Sequence, residues 1–143
     1  MQTAETPYTA FSVLTNVDIN KTFGTVNVDG EEKPLTETTW SVFLHSQDRK
    51  VREEAYKKFY AKFEEHQNSI AALYAGSVNQ DIFSVRARGY DSSLHQALYG
   101  NKVPLSVYHN LIDCIHKNLD TLHEYYSLRK KVLGVKELRH WDV

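Results

Sequence analysis

The chain is poor in the residues that staple, break or anchor a polypeptide. Of 143 residues only Cys114 is a cysteine. A lone thiol makes no internal disulfide, so nothing calls for an oxidising compartment. Its expected place is that of a small buried apolar side chain. A nucleophilic thiol needs a base and an electropositive pocket, and the sequence signals neither. Pro7, Pro34 and Pro104 are the only prolines, which leaves the stretch between the last two open to long helices. No apolar run approaches the roughly 20 residues of a membrane span. The opening MQTAETPYTAFSVL has neither the basic start nor the apolar centre of a signal peptide. These absences together point to the cytoplasm. One-signed charge is missing too. The formal net charge is -1, which gives no general pull toward nucleic acid or acidic membranes. There is no Gly-rich phosphate loop, no Ser/His/Asp arrangement and no cysteine cluster.

What remains is an ordinary soluble composition, 41% hydrophobic and 24% charged, in a chain long enough for one domain with a core. Residues 1–21 read as a lead-in, with an apolar patch at Phe11, Val13 and Leu14 before a turn-prone Thr15-Asn16. Residues 22–35 read as a β-hairpin. TFGTVNV carries β-branched residues into Asp29-Gly30, a pair suited to the two positive φ angles of a type I′ turn. Pro34 cannot donate to a ladder, so the return strand is an edge or stops there.

Residues 36–143 read as helical. Thr36 is a candidate N-cap before Trp40, Phe43 and Leu44. Ser46 is the expected cap of a second helix, with Asp48 in its first turn. Tyr56, Phe59, Phe63, Ile70, Leu73 and Ser77 keep helical spacing, so this helix is expected to run to Arg88 before Gly89. Uninterrupted, it would reach about 60 Å, long for a lone domain of this size, and it suggests one wall of something larger. Asp91 or Ser92 would cap a short helix ending at Gly100-Asn101. Pro104 and Ser106 would open a last helix through Leu133, with Gly134 as its stop. The closing Trp141-Asp142-Val143 looks like a chain cut in mid-fold. The expected class is therefore mainly α, with long antiparallel helices and one small N-terminal β-hairpin.

His109, His116 and His123 recur every seven residues. With Leu111 at zero on a helical wheel, Val107, Cys114, Ile115, Asn118, Leu122, Tyr125, Tyr126, Arg129 and Leu133 fall within about 60° of it. The three histidines lie about 120–160° away, on the polar face. Seven residues also part their Cα atoms by roughly 10.5 Å, while zinc needs nitrogens about 2.0–2.1 Å from the metal. His123-Glu124 resembles the start of a His-Glu-x-x-His zinc motif, but Ser127 stands where the second histidine belongs. Tyr125 falls on the apolar stripe, so the segment is expected to pack a core. Asn118 and Arg129 sit in that stripe and are expected to find partners inside the fold or across a missing lobe, because an unpaired buried amide or charge is costly. Arg86 to Gly89 (Arg-Ala-Arg-Gly) could meet phosphate, yet basic residues near a helix C-terminus ordinarily complement its dipole. His45, His66, His95 and His140 show no metal spacing. Glu31-Glu32, Glu53-Glu54 and Glu64-Glu65 read as solvated surface.

Asp-Arg-x-Val-Arg at Asp48 to Arg52, Ala-Arg-Gly-Tyr-Asp-Ser at Ala87 to Ser92, Val103-Pro104, and the series from Asn118 through Leu122-His123, Tyr125, Leu128-Arg129-Lys130 and Leu133-Gly134 keep a specific order and spacing. From about Phe11 onward the chain resembles the oligoendopeptidase F family of zinc metallopeptidases, relatives of thimet oligopeptidase. The resemblance implies a helical fold around a deep cleft and zinc-dependent cleavage of short peptides. In that family a His-Glu-x-x-His helix and a distal carboxylate hold the metal. No position here matches those residues, so the resemblance transfers no catalytic and no metal residue, and it identifies no substrate-binding residue. It implies a segment N-terminal to the zinc motif, part of the lobe walling the cleft and inactive alone. Zinc is then expected only in a full-length parent. The implied partners are the remainder of the peptidase chain and, in the parent, short peptides, with no nucleic acid and no membrane. The alternative is a free-standing helical module that binds peptides or proteins.

Overall fold

A computed structural model describes residues 5–21 and 23–142. The first four residues of the expected lead-in, Thr22 of the expected hairpin and Val143 lie outside the described residues. The chain is mainly helical and divides into two compact units, one of residues 1–78 with 139–143, the other of residues 79–138.

The first unit opens with α1 (Thr6–Val13). The expected turn at Thr15-Asn16 is instead a loosened π-helical turn, Leu14–Asp18, tightening into a 3-10 turn at Ile19–Lys21. The Thr15 hydroxyl donates to the Phe11 carbonyl at 2.9 Å, so it bonds back along the helix rather than closing a turn. Strands β1 (Thr25–Val28) and β2 (Glu31–Pro34) pair antiparallel, with Val28 opposite Glu31 and Thr25 opposite Pro34. Asp29 and Gly30 have φ of 56° and 89°, as the hairpin turn requires. The ladder ends at Pro34. Period two buries Val26 and half-buries Val28, leaving Thr25 and Asn27 in solvent.

Helix α2 (Glu37–Leu44) begins with reciprocal capping. Thr36 Oγ1 accepts from the Thr39 N–H at 3.1 Å, and Thr39 Oγ1 accepts from the Thr36 N–H at 2.8 Å. Helix α3 (Arg49–Glu65) is capped by Asp48, not Ser46; its carboxylate accepts from the Lys50 N–H at 2.8 Å. The core gathers on α3. Val51, Ala55 and Phe59 are buried with Ile19, Phe23, Val26, Leu35 and Phe43. Phe59 lies between Phe23 and Trp40, with ring centroids 4.6 Å away on each side. Lys58 ties the hairpin to α3 by donating to the Thr25 carbonyl at 2.7 Å.

The expected helix to Arg88 is two helices. Helix α4 (Gln67–Arg88) starts after a break at His66, and the boundary between the units falls within it. The second unit continues with α5 (Ser93–Tyr99), capped by Ser92, then α6 (Leu105–Lys117) and α7 (Leu119–Val132). The expected last helix is thus also divided, at Asn118. Gly89 and Gly134 have φ of 71° and 66°. Each closes a Schellman end: Tyr90 N–H to Val85 O at 3.0 Å after α4, and Val135 N–H to Lys130 O at 3.3 Å after α7. Helix α5 stops differently from expectation. Gly100 keeps a right-handed φ of -59°, and Lys102 takes the left-handed position at φ 52°, with Val103 N–H bonded to Leu98 O at 3.2 Å.

Two stability predictions follow from these placements. Phe59→Ala should cost about 3–5 kcal/mol in denaturant unfolding, because the ring fills the space between two aromatic neighbours. Lys102→Gly should instead raise stability by about 0.5–1 kcal/mol by relieving a left-handed non-glycine residue. Unchanged or lowered stability in that variant would show that the Lys102 side chain contributes more than its backbone costs.

Candidate functional site

The most specific side-chain arrangement joins two segments far apart in sequence. Arg49 is the first residue of α3, and Arg52 lies one turn on. A 3-10 turn, His140–Asp142, brings Asp142 against them. Arg49 Nε and Nη2 donate to the two carboxylate oxygens of Asp142 at 2.9 and 2.7 Å, a fork matched to a carboxylate. Arg52 Nη2 adds a bond of 3.1 Å, and the Arg139 N–H another of 3.0 Å. Arg52 also donates to the Trp141 carbonyl through Nε at 2.9 Å and to the Ser46 carbonyl through Nη1 at 2.9 Å. The Asp142 side chain is wholly buried, Arg52 is 12% exposed and Arg49 41%. The Arg49 guanidinium holds the Asp142 carboxyl well below the usual carboxylate range. The Arg139 N–H and Arg52 act the same way, and together they outweigh burial, which pushes it up. Around this clasp Tyr56 packs on His140 and Trp141, with centroids at 6.0 and 5.6 Å. Lys57 Nζ lies 5.4 Å from the Trp141 ring centre.

A second device recurs at helix ends. His45, His66 and Asn118 each leave the helix at φ near -100° and ψ near zero. In each the side chain reaches the carbonyl four residues back: His45 Nδ1 to Ser41 O at 2.7 Å, His66 Nδ1 to Lys62 O at 2.9 Å, Asn118 Nδ2 to Cys114 O at 2.7 Å. The backbone N–H of the same residue turns to the carbonyl three back. The side chain replaces the bond that would have continued the helix. Two histidines and the puzzling mid-stripe asparagine are therefore helix terminators. In the second unit Tyr90, His95 and Tyr99 meet edge-on, and Gln96 donates to Ser84 Oγ at 2.8 Å, fixing α5 on the end of α4.

Neighbouring concavities of the first unit are lined mainly by apolar side chains. In the first unit α1 and α4 enclose a cavity of about 260 Å³ lined by Tyr8, Phe11, Ile70, Leu73 and Tyr74. Gly76, inside α4, faces Pro7; a Cβ there would stand 3.4 Å from Pro7 Cγ, at van der Waals contact.

The model of peptidase family M3 matches residues 42–143. The chain belongs to peptidase family M3. It is 40% identical over 134 residues to the oligopeptidase PepF of Bacillus subtilis, and 37% identical over 133 residues to an oligoendopeptidase F homolog of Borreliella burgdorferi; each match covers 93% of this chain. The crystal structure of oligoendopeptidase F from Enterococcus faecium superposes on 98% of the chain with a TM-score of 0.90 at 31% identity. The chain spans about a fifth of the length of those curated relatives and 28% of that crystallised chain.

Placed in this M3 chain, the residues singled out from sequence do not converge. His109, His116 and His123 are exposed along α6 and α7. Among the described residues no three His, Cys, Asp or Glu side chains are grouped to hold a metal ion, so the residues present do not fit a zinc site. Cys114, expected to be buried, is exposed. Tyr125, expected in a core, is 52% exposed. Asn118 is exposed and bonded to its own helix; Arg129 is half-buried and donates to the Tyr125 hydroxyl at 3.1 Å. The break at Asn118 divides the expected stripe between α6 and α7, and Val107, Leu111, Ile115, Leu122, Tyr125 and Leu133 on it are exposed. Arg86, Arg88 and Arg129 to Lys131 lie in last helical turns, where the dipole favours them. Sequence reading missed the clasp. Its signal was the Asp-Arg-x-Val-Arg run, whose two arginines three residues apart share a helix face.

The clasp predicts a pH dependence. A depressed folded pKa contributes stability that is present above the unfolded value, near 4, and is lost as pH falls toward the folded one. The wild-type unfolding midpoint should therefore drop steeply below about pH 5, and Asp142→Asn should flatten that slope. At neutral pH Asp142→Asn should cost about 3 kcal/mol, at the lower end for a broken buried pair because Arg49 stays partly hydrated. Parallel pH profiles in the two proteins would refute the assignment.

Proposed function

We propose that this chain is a non-catalytic helical segment of an oligoendopeptidase F-like zinc metalloendopeptidase that cleaves short peptides. Its part is architectural: it forms some of the lobe that walls the substrate cleft and limits entry to oligopeptides. Residues 1–21 act as lead-in, 22–35 as a hairpin brace and 36–143 as the lobe segment. The observation that carries this reading is the superposition of 98% of the chain on 28% of the Enterococcus faecium enzyme. The open apolar faces of α6 and α7 support it, since a lobe segment needs such faces for the rest of its chain. Zinc and the proton-transfer groups belong, on this reading, to the parent outside residues 1–143. A cytoplasmic site of action agrees with the lone thiol; among the described residues no helix is long and apolar enough to cross a membrane.

The purified 143-residue chain should neither hold stoichiometric zinc nor cleave a quenched-fluorescent peptide. The longest reading frame containing it should do both, with cleavage stopped by a chelator. Chelator-sensitive cleavage by the 143-residue chain would refute the proposal, and so would a frame that closes after the Val143 codon. In that second case the free-standing binding module becomes the better account.

A further inference from the structure

The second unit has no fully buried side chain among its described residues, 79–138. Its most one-sided helix is α6. Val107, Leu111 and Ile115, spaced four apart, form a ridge along it and are 54%, 58% and 54% exposed. Cys114 and Tyr108 flank the ridge and are exposed as well. No charged side chain lies in it; Asp113, His116 and Lys117 fall on the other side of the helix. Ridges of this i, i+4 kind are what helices interdigitate when they pack.

Three occupants could cover it: solvent, a second copy, or more of the same chain. Solvent alone would leave a helix of 13 residues marginal, because helices of that length depend on packing their apolar face. A second copy is disfavoured by area. Thirteen residues of helix offer a strip of about 20 Å by 10 Å, about 200 Å², against about 800 Å² per partner in a stable complex. A covalently attached helix is present at high effective concentration and needs no such area. The relatives supply the material, since this chain spans only about a fifth of their length. We infer that the Val107–Leu111–Ile115 ridge of α6 is the docking face for an apolar helix from the remainder of the peptidase chain. This inference rests on the reading given under Proposed function.

Cys114 provides a reporter, being the chain's single thiol and placed beside the ridge. Iodoacetamide alkylation of Cys114, followed by peptide mass mapping, should proceed at the rate of an open thiol in the 143-residue chain. In the longest reading frame it should be at least about tenfold slower, and unfolding in urea should restore the open rate. Equal rates in a full-length protein that still cleaves peptide would overturn the docking face and leave the functional reading standing. Slow labelling of the 143-residue chain, with sedimentation as a dimer, would assign the ridge to a second copy instead. A reading frame no longer than this chain would overturn both.

Discussion

Asp142 is the constraint on which the first unit depends. Its carboxylate is buried, and burial of a charge is tolerable only where hydrogen bonds replace water. Arg49, Arg52 and the Arg139 N–H supply them. The consequence reaches past the ion pair. Arg52 also holds the Ser46 and Trp141 carbonyls, so one guanidinium fixes the turn before α3 and the residues that return to it from the far end of the chain. Loop closure over some 90 residues is entropically unfavourable. A forked pair on a buried carboxylate, with several backbone bonds, has the geometry to offset that cost where an exposed Lys–Glu pair would not.

Helix α3 serves this clasp and the core at once because its side chains divide by angle. Arg49, Arg52 and Tyr56 fall within about 60° of one another on the wheel; Val51, Ala55 and Phe59 occupy an adjacent sector. The first group meets residues 140–142 and the second meets the hairpin and α2. A shift of one residue in either segment would turn both faces away together. This coupling gives the Asp-Arg-x-Val-Arg run a physical meaning: the arginines belong to the clasp, and the valine between them belongs to the core.

The parts of the fold legible in the sequence were those decided within a few residues. Asp29-Gly30 needs only its own backbone angles, Thr36 only the next turn, and Gly89 and Gly134 only a left-handed φ. The breaks at His66 and Asn118 were not legible, because the apolar period runs through them unbroken. What ends the helix there is one side chain taking the carbonyl four residues back, and His and Asn also occur inside helices without doing so. The clasp was illegible for the opposite reason: its partners are separated by the whole helical region. As for chemistry, spacing placed the three heptad histidines on one polar helix face; the break at Asn118 instead puts His109 and His116 on α6 and His123 on α7, all exposed. Periodicity also gave the stripe on α6 and α7, but a period reports that one face is apolar, not that anything covers it. Cys114 and Tyr125 were expected to be buried on that unsupported step.

The difference between the two units is then energetic as well as topological. Isolated helices of 13 or 14 residues, the lengths of α6 and α7, are marginal in water even with good propensities. Schellman ends and capping serines add about a kilocalorie each, which orders helix ends but does not replace a core. The first unit supplies that core through Phe59 and its neighbours. The second presents its apolar ridge outward, with Ser92 capping α5 and left-handed glycines closing α4 and α7, while α6 and α7 begin without a side-chain cap. Local signals therefore order several of its helix ends, and the proposed docking on the uncovered face would add the tertiary stabilisation that they do not supply. A lobe segment of the kind proposed would take its rigidity from the chain that packs on it, so on that proposal substitutions along α6 should act on the whole peptidase fold rather than on the segment that carries them.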